Sequence, residues 1–200
     1  MHLSDACSIH TGYTARSRLE PAANGILAIE LRDMAADGEI DPEKLMRFEL
    51  SDLSERYFVR CGDVLFRSRG ERNTAFVLDE RFAEPAVAVL PIMVLRPRVD
   101  LVAPEYLAWA INQPTAQRHF DTAARGTSIR MVPKSCLDDL HLDIPDLETQ
   151  RRIVAIDRLA AREKTLTLLL AERRRNVTSL LLAERARLAS HGTKSEKDKT

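Results

Sequence analysis

Ile144-Pro145-Asp146-Leu147-Glu148-Thr149-Gln150-Arg151-Arg152-Ile153 divides the chain into two kinds of sequence. After Pro145 there is no further proline, and no glycine before Gly192. The stretch 147–190 is rich in Leu, Ala, Arg and Glu, all good helix formers. Asp146 is suited to cap a helix, and Glu148 places a carboxylate in the first turn, near the positive end of the helix dipole. Apolar residues recur at Ile153, Ile156, Ala160, Leu166, Leu170, Val177, Leu181 and Leu188 with helical spacing. The pattern predicts an amphipathic helix over 147–190, with roughly 60 Å of rise. A stripe that long needs a partner helix, in a coiled-coil-like pairing. Glu163 and Arg173 interrupt a strict heptad, so a parallel dimer is not specified. Residues 191–200 read as a short, charged, fraying tail.

Upstream, residues 1–146 read as one mixed α/β domain, which makes the fold class α+β with a long C-terminal helix. Ile26–Ile29, Val64–Phe66 and Thr74–Leu78 have strand composition. A longer strand is expected over Ala86–Leu95, with Pro91 implying an edge or a bulge. Pro104–Ile111 opens with Pro and Glu in a helix's first turn, and Pro114 starts a second helix that runs to about Ala124 before Gly126. Pro133–Leu140 reads as a short helix and His141–Ile144 as a strand. No internal repeat is visible.

The chain has 200 residues, with 30 basic and 30 acidic, so its formal charge is zero. That length, with 44% apolar residues, is enough for a real core. The neutrality hides segregation: residues 20–55 carry ten acids and three bases, whereas 151–175 carry eight bases and three acids. Residues 118–134 carry four bases and one acid. Such a distribution lets one face meet a polyanion while another stays acidic. No apolar run is long enough to span a membrane, and no secretory signal is evident, so a cytoplasmic location is expected. Three scattered cysteines, Cys7, Cys61 and Cys136, fit neither a disulfide framework nor a metal site.

Common catalytic signatures, HExxH, GxxxxGK[ST], GxGxxG and GxSxG, are absent. Cys136 and His141 are a conceivable thiol–imidazole dyad, but a buried structural cysteine is the simpler reading. Asp37–Asp41 lacks the spacing of a calcium loop. No metal, cofactor or catalytic residue is expected; the chain reads as a binder. Two segments carry contact chemistry. In Gly62–Asn73, a turn and a strand deliver Arg67, Arg69 and Arg72 into a glycine-containing loop, with Ser68 and Asn73 as further hydrogen-bonding groups. The planar guanidinium fork matches guanine edges and phosphate oxygens. The second is Arg125–Arg130: Arg125, Thr127, Ser128 and Arg130 surround Gly126, suited to gripping a phosphodiester, with Lys134 a further candidate just beyond. The simpler alternatives are a surface hairpin whose arginines pair with Glu71, Asp79 and Glu80, and an ordinary helix end. Tyr106 and Trp109 read as core.

In this order the pieces resemble the specificity subunits of type I restriction–modification systems, over one target-recognition domain and its spacer helix. The likeness rests on Gly12-Tyr13, Ile26–Leu31, Gly62–Gly70, Pro104–Trp109, Gln117, Gly126–Ile129, Leu137–Leu140 and the Ile144–Ile153 entry to the long helix. The resemblance implies a subunit with no chemistry of its own. It would read double-stranded DNA and direct a partner DNA methyltransferase, and in some systems a restriction nuclease, to a bipartite target. Family members usually carry two recognition domains joined by two antiparallel helices. This chain has one of each, which implies pairing as a homodimer or with another half-subunit. A different class of function, a coiled-coil scaffold or regulator with a degenerate recognition domain, is compatible with the same residues.

Overall fold

The computed structural model describes residues 1–15, 18–34, 40–70, 72–123 and 131–197, with side chains of the last helix described as far as Leu188. Two units are distinguished, Met1–Val154 and Ala155–Thr200.

The first unit is built on two four-stranded sheets. Its strands are β1 (Cys7–Thr11), β2 (Pro21–Ile29), β3 (Met46–Phe48), β4 (Phe58–Val59), β5 (Val64–Arg67), β6 (Ala75–Val77), β7 (Ala86–Ala88) and β8 (Ile92–Pro97). One sheet has the order β1-β8-β5-β6 and is antiparallel throughout. The other has the order β3-β2-β7-β4, with β2 and β7 parallel. Short helices α1 (Leu3–Ala6), α2 (Pro104–Ile111), α3 (Pro114–Ala123) and α4 (Lys134–Asp138) complete the unit.

The central strands β5 and β8 are apolar at every position from Val64 to Phe66 and from Ile92 to Leu95, because both their faces are buried. Side chains alternate across a strand. Val64, Phe66, Met93 and Leu95 pack with Leu107, Ile111, Phe120 and Leu137 of the helices. Leu65, Ile92 and Val94 pack instead with Ile29, Phe76 and Leu78 on the other side. Tyr106 is core, as expected, and Trp109 packs half-buried against the same cluster.

The expected single strand over Ala86–Leu95 is two strands in two different sheets. Proline has no N–H to extend a ladder, and the chain turns at Leu90-Pro91, passing from β7 in one sheet to β8 in the other. Gly12 makes this crossing possible: a Cβ there would lie 2.7 Å from the Ile92 carbonyl oxygen and 2.8 Å from that of Ala88. The expected strand at His141–Ile144 is reduced to an isolated bridge between His2 and His141. Leu3 N–H donates to the Leu140 carbonyl at 2.8 Å and Leu142 N–H to that of Met1 at 2.9 Å, and the pairing goes no further. Beyond it the Asp143 carbonyl accepts the Tyr106 hydroxyl at 2.6 Å, and Pro145 offers no donor.

Helix α5 (Leu147–Lys197) is continuous. Asp146 caps it, its carboxylate accepting the Thr149 N–H at 2.9 Å and the Thr149 hydroxyl at 2.7 Å. These bonds hold its pKa below the usual carboxylate value. Its first two turns belong to the globular unit, because Gln150 is fully buried and Ile153 and Val154 pack on the core. The Gln150 amide donates to the carbonyls of Leu101 (2.9 Å) and Pro145 (2.7 Å) and accepts the Ala103 N–H (2.8 Å). From Ala155 to Leu188 every residue is exposed within the chain. No described helix is long and apolar enough to cross a membrane.

Candidate nucleic-acid interface

The candidate surface grows from the end of β5. Arg67 is the last residue of that strand, and the chain crosses from it to β6 through residues 68–74. Arg67 N–H bonds the Thr74 carbonyl at 2.8 Å, closing the loop at its base. The Arg67 guanidinium turns back rather than outward. Its Nε donates to the Arg69 carbonyl and its Nη1 to the Met34 carbonyl, each at 3.2 Å. Gly70, at φ +130°, permits this fold-back, since a Cβ there would stand 3.2 Å from Arg67 Nε and Nη2.

Two residues expected to contact a ligand are buried. Ser68 is fully enclosed, its hydroxyl donating to the Pro91 carbonyl. Asn73 is also buried, and its amide donates to the Arg67 carbonyl at 3.0 Å. A short polar side chain at a tight loop base is closer to backbone acceptors than to solvent, so both tie the loop together. Arg69 and Arg72 are exposed, and they carry the loop's outward chemistry. Of the ion-pair partners considered, Asp79 is taken by Arg81, at 2.8 Å.

The chain that follows the second segment, from Met131, pairs with this loop. Arg69 forms an antiparallel bridge with Met131, and Val132 N–H donates to the Ser68 carbonyl at 2.8 Å. Arg125, Thr127, Ser128 and Arg130 lie outside the described residues, but the chain that leaves them is paired directly with the arginine loop. Lys134, at the start of α4, is exposed and ion-paired with Asp138 at 2.7 Å.

Two residues outside the sequence-predicted set hold this edge in place. Asn112, in the turn between α2 and α3, mimics a strand: its Oδ1 accepts the Ala75 N–H at 2.8 Å and its Nδ2 donates to the Ala75 carbonyl at 2.9 Å. β6 is an edge strand, and the Asn112 amide satisfies its open side. Gln117 of α3 donates to the carbonyls of Asn73 (2.8 Å) and Ile111 (2.9 Å). The signal for Asn112 was its place before Gln113-Pro114, but its partner lies 37 residues away.

A basic neighbourhood also surrounds His10 on β1. Burial lowers its pKa first, and the charges of Arg96, Lys134 and Arg56 lower it further, with Asp63 opposing. Arg96 donates to the Phe58 and Arg56 carbonyls and lies 3.5 Å from the buried Asp63 carboxylate. The Arg56 guanidinium covers the Tyr57 ring at 4.7 Å.

The thiol–imidazole reading finds no support. Cys136 is buried, with burial raising its pKa, and His141 Nε2 faces the N-terminal amine at 2.9 Å. Cys7 is likewise buried and pushed up to about 12. Among the described residues, no group of His, Cys, Asp and Glu is arranged to hold a metal ion.

Two sheets backed by short helices on one side and continued by a long terminal helix make up a fold shared with part of the type I restriction–modification specificity subunits of known structure. No family model matches the chain. It is similar to the specificity subunit of the type I restriction enzyme HindI of Haemophilus influenzae, at 23% identity over 126 residues, covering 60% of this chain and 28% of that protein. Among solved structures, a chain from work on complex assembly and conformational transition of the type I R-M system aligns over 90% of this chain and 42% of its own, with TM-score 0.66 and 22% identity. The HsdS subunit of Thermoanaerobacter tengcongensis aligns over 83% of this chain and 38% of its own, with TM-score 0.61 and 23% identity. The S subunit of M. genitalium aligns over 86% and 40%, with TM-score 0.53 and 13% identity. The chain thus spans less than half the length of each of these relatives.

Proposed function

We propose that this chain is a sequence-specific DNA-recognition subunit of a restriction–modification system. It reads one part of a bipartite target in double-stranded DNA and directs a partner methyltransferase, with or without a nuclease subunit, to that target. It acts in the cytoplasm and carries no chemistry of its own. Pairing through α5, with a second copy or with another half-subunit, supplies the second recognition unit. The recognition domain spans 1–146 and the pairing helix 147–190.

The observation that carries this reading is the pairing of Arg69 with Met131 and of Ser68 with Val132. The chain that follows the second basic segment is thereby paired with the first, at a loop where Arg69 and Arg72 are exposed. The fold likeness to specificity subunits supports the same role. Arginine forks on base edges contribute about 1–3 kcal/mol of discrimination each. Methylation mapping with the complete methyltransferase complex tests the reading. The Arg69→Ala/Arg72→Ala variant is expected to lose target-site methylation by on the order of a hundredfold while keeping its complex. Unaltered site-specific methylation would remove this edge from the interface.

A further inference from the structure

The basic cluster around β1 lies outside the arginine loop. Ser8 and His10 are two residues apart on that strand, so their side chains share one face, opposite to the buried Cys7 and Ile9. His10 Nε2 and Ser8 Oγ are 3.2 Å apart. Across the ladder Ser8 is paired with Arg96 of β8. Arg96 in turn reaches the single helical turn Glu55–Tyr57, its Nη2 donating to the Arg56 carbonyl at 3.4 Å. Ser8, His10, Arg96 and Arg56 are thereby gathered along the β1 edge of the first sheet.

These cations are held mostly by neutral groups. The Arg56 guanidinium lies over the Tyr57 ring, and its Nη2 donates to the Tyr57 hydroxyl at 2.7 Å. Tyr13 braces that ring edge-on at 5.5 Å, and its own hydroxyl donates to the Ser51 carbonyl at 3.0 Å. Among the described residues, no carboxylate pairs with Arg56. Arg96 is anchored on the Arg56 and Phe58 carbonyls, with the buried Asp63 carboxylate 3.5 Å from its Nε. Lys134 differs, because Asp138 takes its charge. Neutral partners fix the Arg56 fork in place without cancelling its charge, which is the preorganisation an anion site requires. After burial, the charges of Arg96, Lys134 and Arg56 are what lower the His10 pKa, with Asp63 opposing.

We infer that Ser8, His10 and Arg56 form a phosphate-binding site whose occupant is the backbone of the duplex that the arginine loop reads. The inference rests on the DNA-reading role and adds to it a contact that carries no sequence information. An imidazole, a hydroxyl and a guanidinium fork together offer several donors to the acceptor oxygens of one phosphate. Two features favour a polyanion over a small ion. Arg96 stands four residues along β8 from Ile92, the partner of Arg67, which places the two basic sites about 13 Å apart at roughly 3.3 Å per residue. Arg67 and Arg96 also fall on the same face of the first sheet, the face of Leu65 and Val94. A duplex backbone spans that distance, whereas a single phosphate fills one site only.

The test measures binding by the complete methyltransferase complex to a duplex carrying its methylated site and to one of unrelated sequence, over a salt series. Arg56→Gln keeps a hydrogen-bonding side chain at this exposed position and removes the charge. It should weaken both duplexes alike, on the order of threefold to tenfold, and reduce the log–log salt slope by about 0.9. Unchanged affinity and slope would overturn the site, and the reading role would still stand if Arg69→Ala/Arg72→Ala abolishes the target preference. A loss confined to the methylated-site duplex would make Arg56 a base reader and overturn the phosphate assignment. Binding of neither duplex by wild type would remove the reading role and this site together. On the full chain, the His10 imidazole is followed by NMR and identified through His10→Gln. The unrelated duplex should raise its pKa, because a phosphate beside it stabilises the imidazolium; no rise would place the backbone elsewhere. An equal rise with inorganic phosphate, at the same phosphate concentration, would assign the site to the free ion and overturn the backbone contact.

Discussion

Burial, and then the charges of the carbonyl-bound Arg96 and the exposed Lys134 and Arg56, hold the His10 imidazole below the ordinary value of 6.5. The folded chain therefore binds fewer protons at His10 than the unfolded chain does. Stability from this site is complete above pH 6.5 and is lost as the pH falls through the folded-state value. The melting temperature of wild type is expected to fall more between pH 7.5 and 5 than that of His10→Gln, measured by circular dichroism. Equal slopes would assign the basic neighbourhood no effect on this imidazole. At the arginine loop, the division of labour among neighbours follows from geometry at the same scale. Arg67 and Asn73 bind backbone carbonyls and shape the loop, whereas Arg69 and Arg72 are exposed. Arg67 ends β5 and folds back over Gly70, whereas Arg69 and Arg72 lie beyond the strand, so arginines of one loop acquire different roles.

At the level of elements, the start of α5 is bolted to the segment before α2 by one amide. Gln150 is fully buried and satisfies the Ala103 N–H and the Leu101 and Pro145 carbonyls together. Gln150→Met keeps nearly the same volume but leaves those three groups unpartnered. A loss of about 2–3 kcal/mol in urea unfolding is expected; a loss below about 0.5 kcal/mol would mean that water replaces the amide. The capping of α5 by Asp146 and its apolar period were legible directly, because caps and helical spacing are local properties. The strands were legible as segments but not as partners. Ala86–Leu95 reads as one apolar run because both its halves are buried, and no local signal says that they enter different sheets.

For the whole molecule, zero net charge and segregated charge have a joint consequence. On the proposed function, attraction to DNA would arise from local basic surfaces, and these are screened over about 8 Å at physiological ionic strength. Specific binding by the assembled complex is expected to weaken linearly in log–log salt titrations, with a slope of about −0.9 for each phosphate contacted. Removing a cation that touches only phosphate should reduce the slope by about one and weaken all sequences alike. Removing one that reads a base should relax specificity at one position. A wild-type slope near zero would argue against phosphate contact altogether.

Sequence alone determined the long helix, its cap, its unpaired seam and the presence of two basic segments, since each is a pattern written over neighbouring residues. The likeness to specificity subunits was legible in the order of short motifs for the same reason. Tertiary structure alone decided which of those basic residues are exposed. Ser68 and Asn73 disappear into the loop base, Arg67 folds back on Gly70, and Asn112, in the turn between α2 and α3, and Gln117, on α3, hold the edge from far along the chain. Which backbone carbonyl a polar side chain reaches is settled by chain segments that meet only once the two sheets and the helix layer have packed. Spacing in sequence carries no record of that distance.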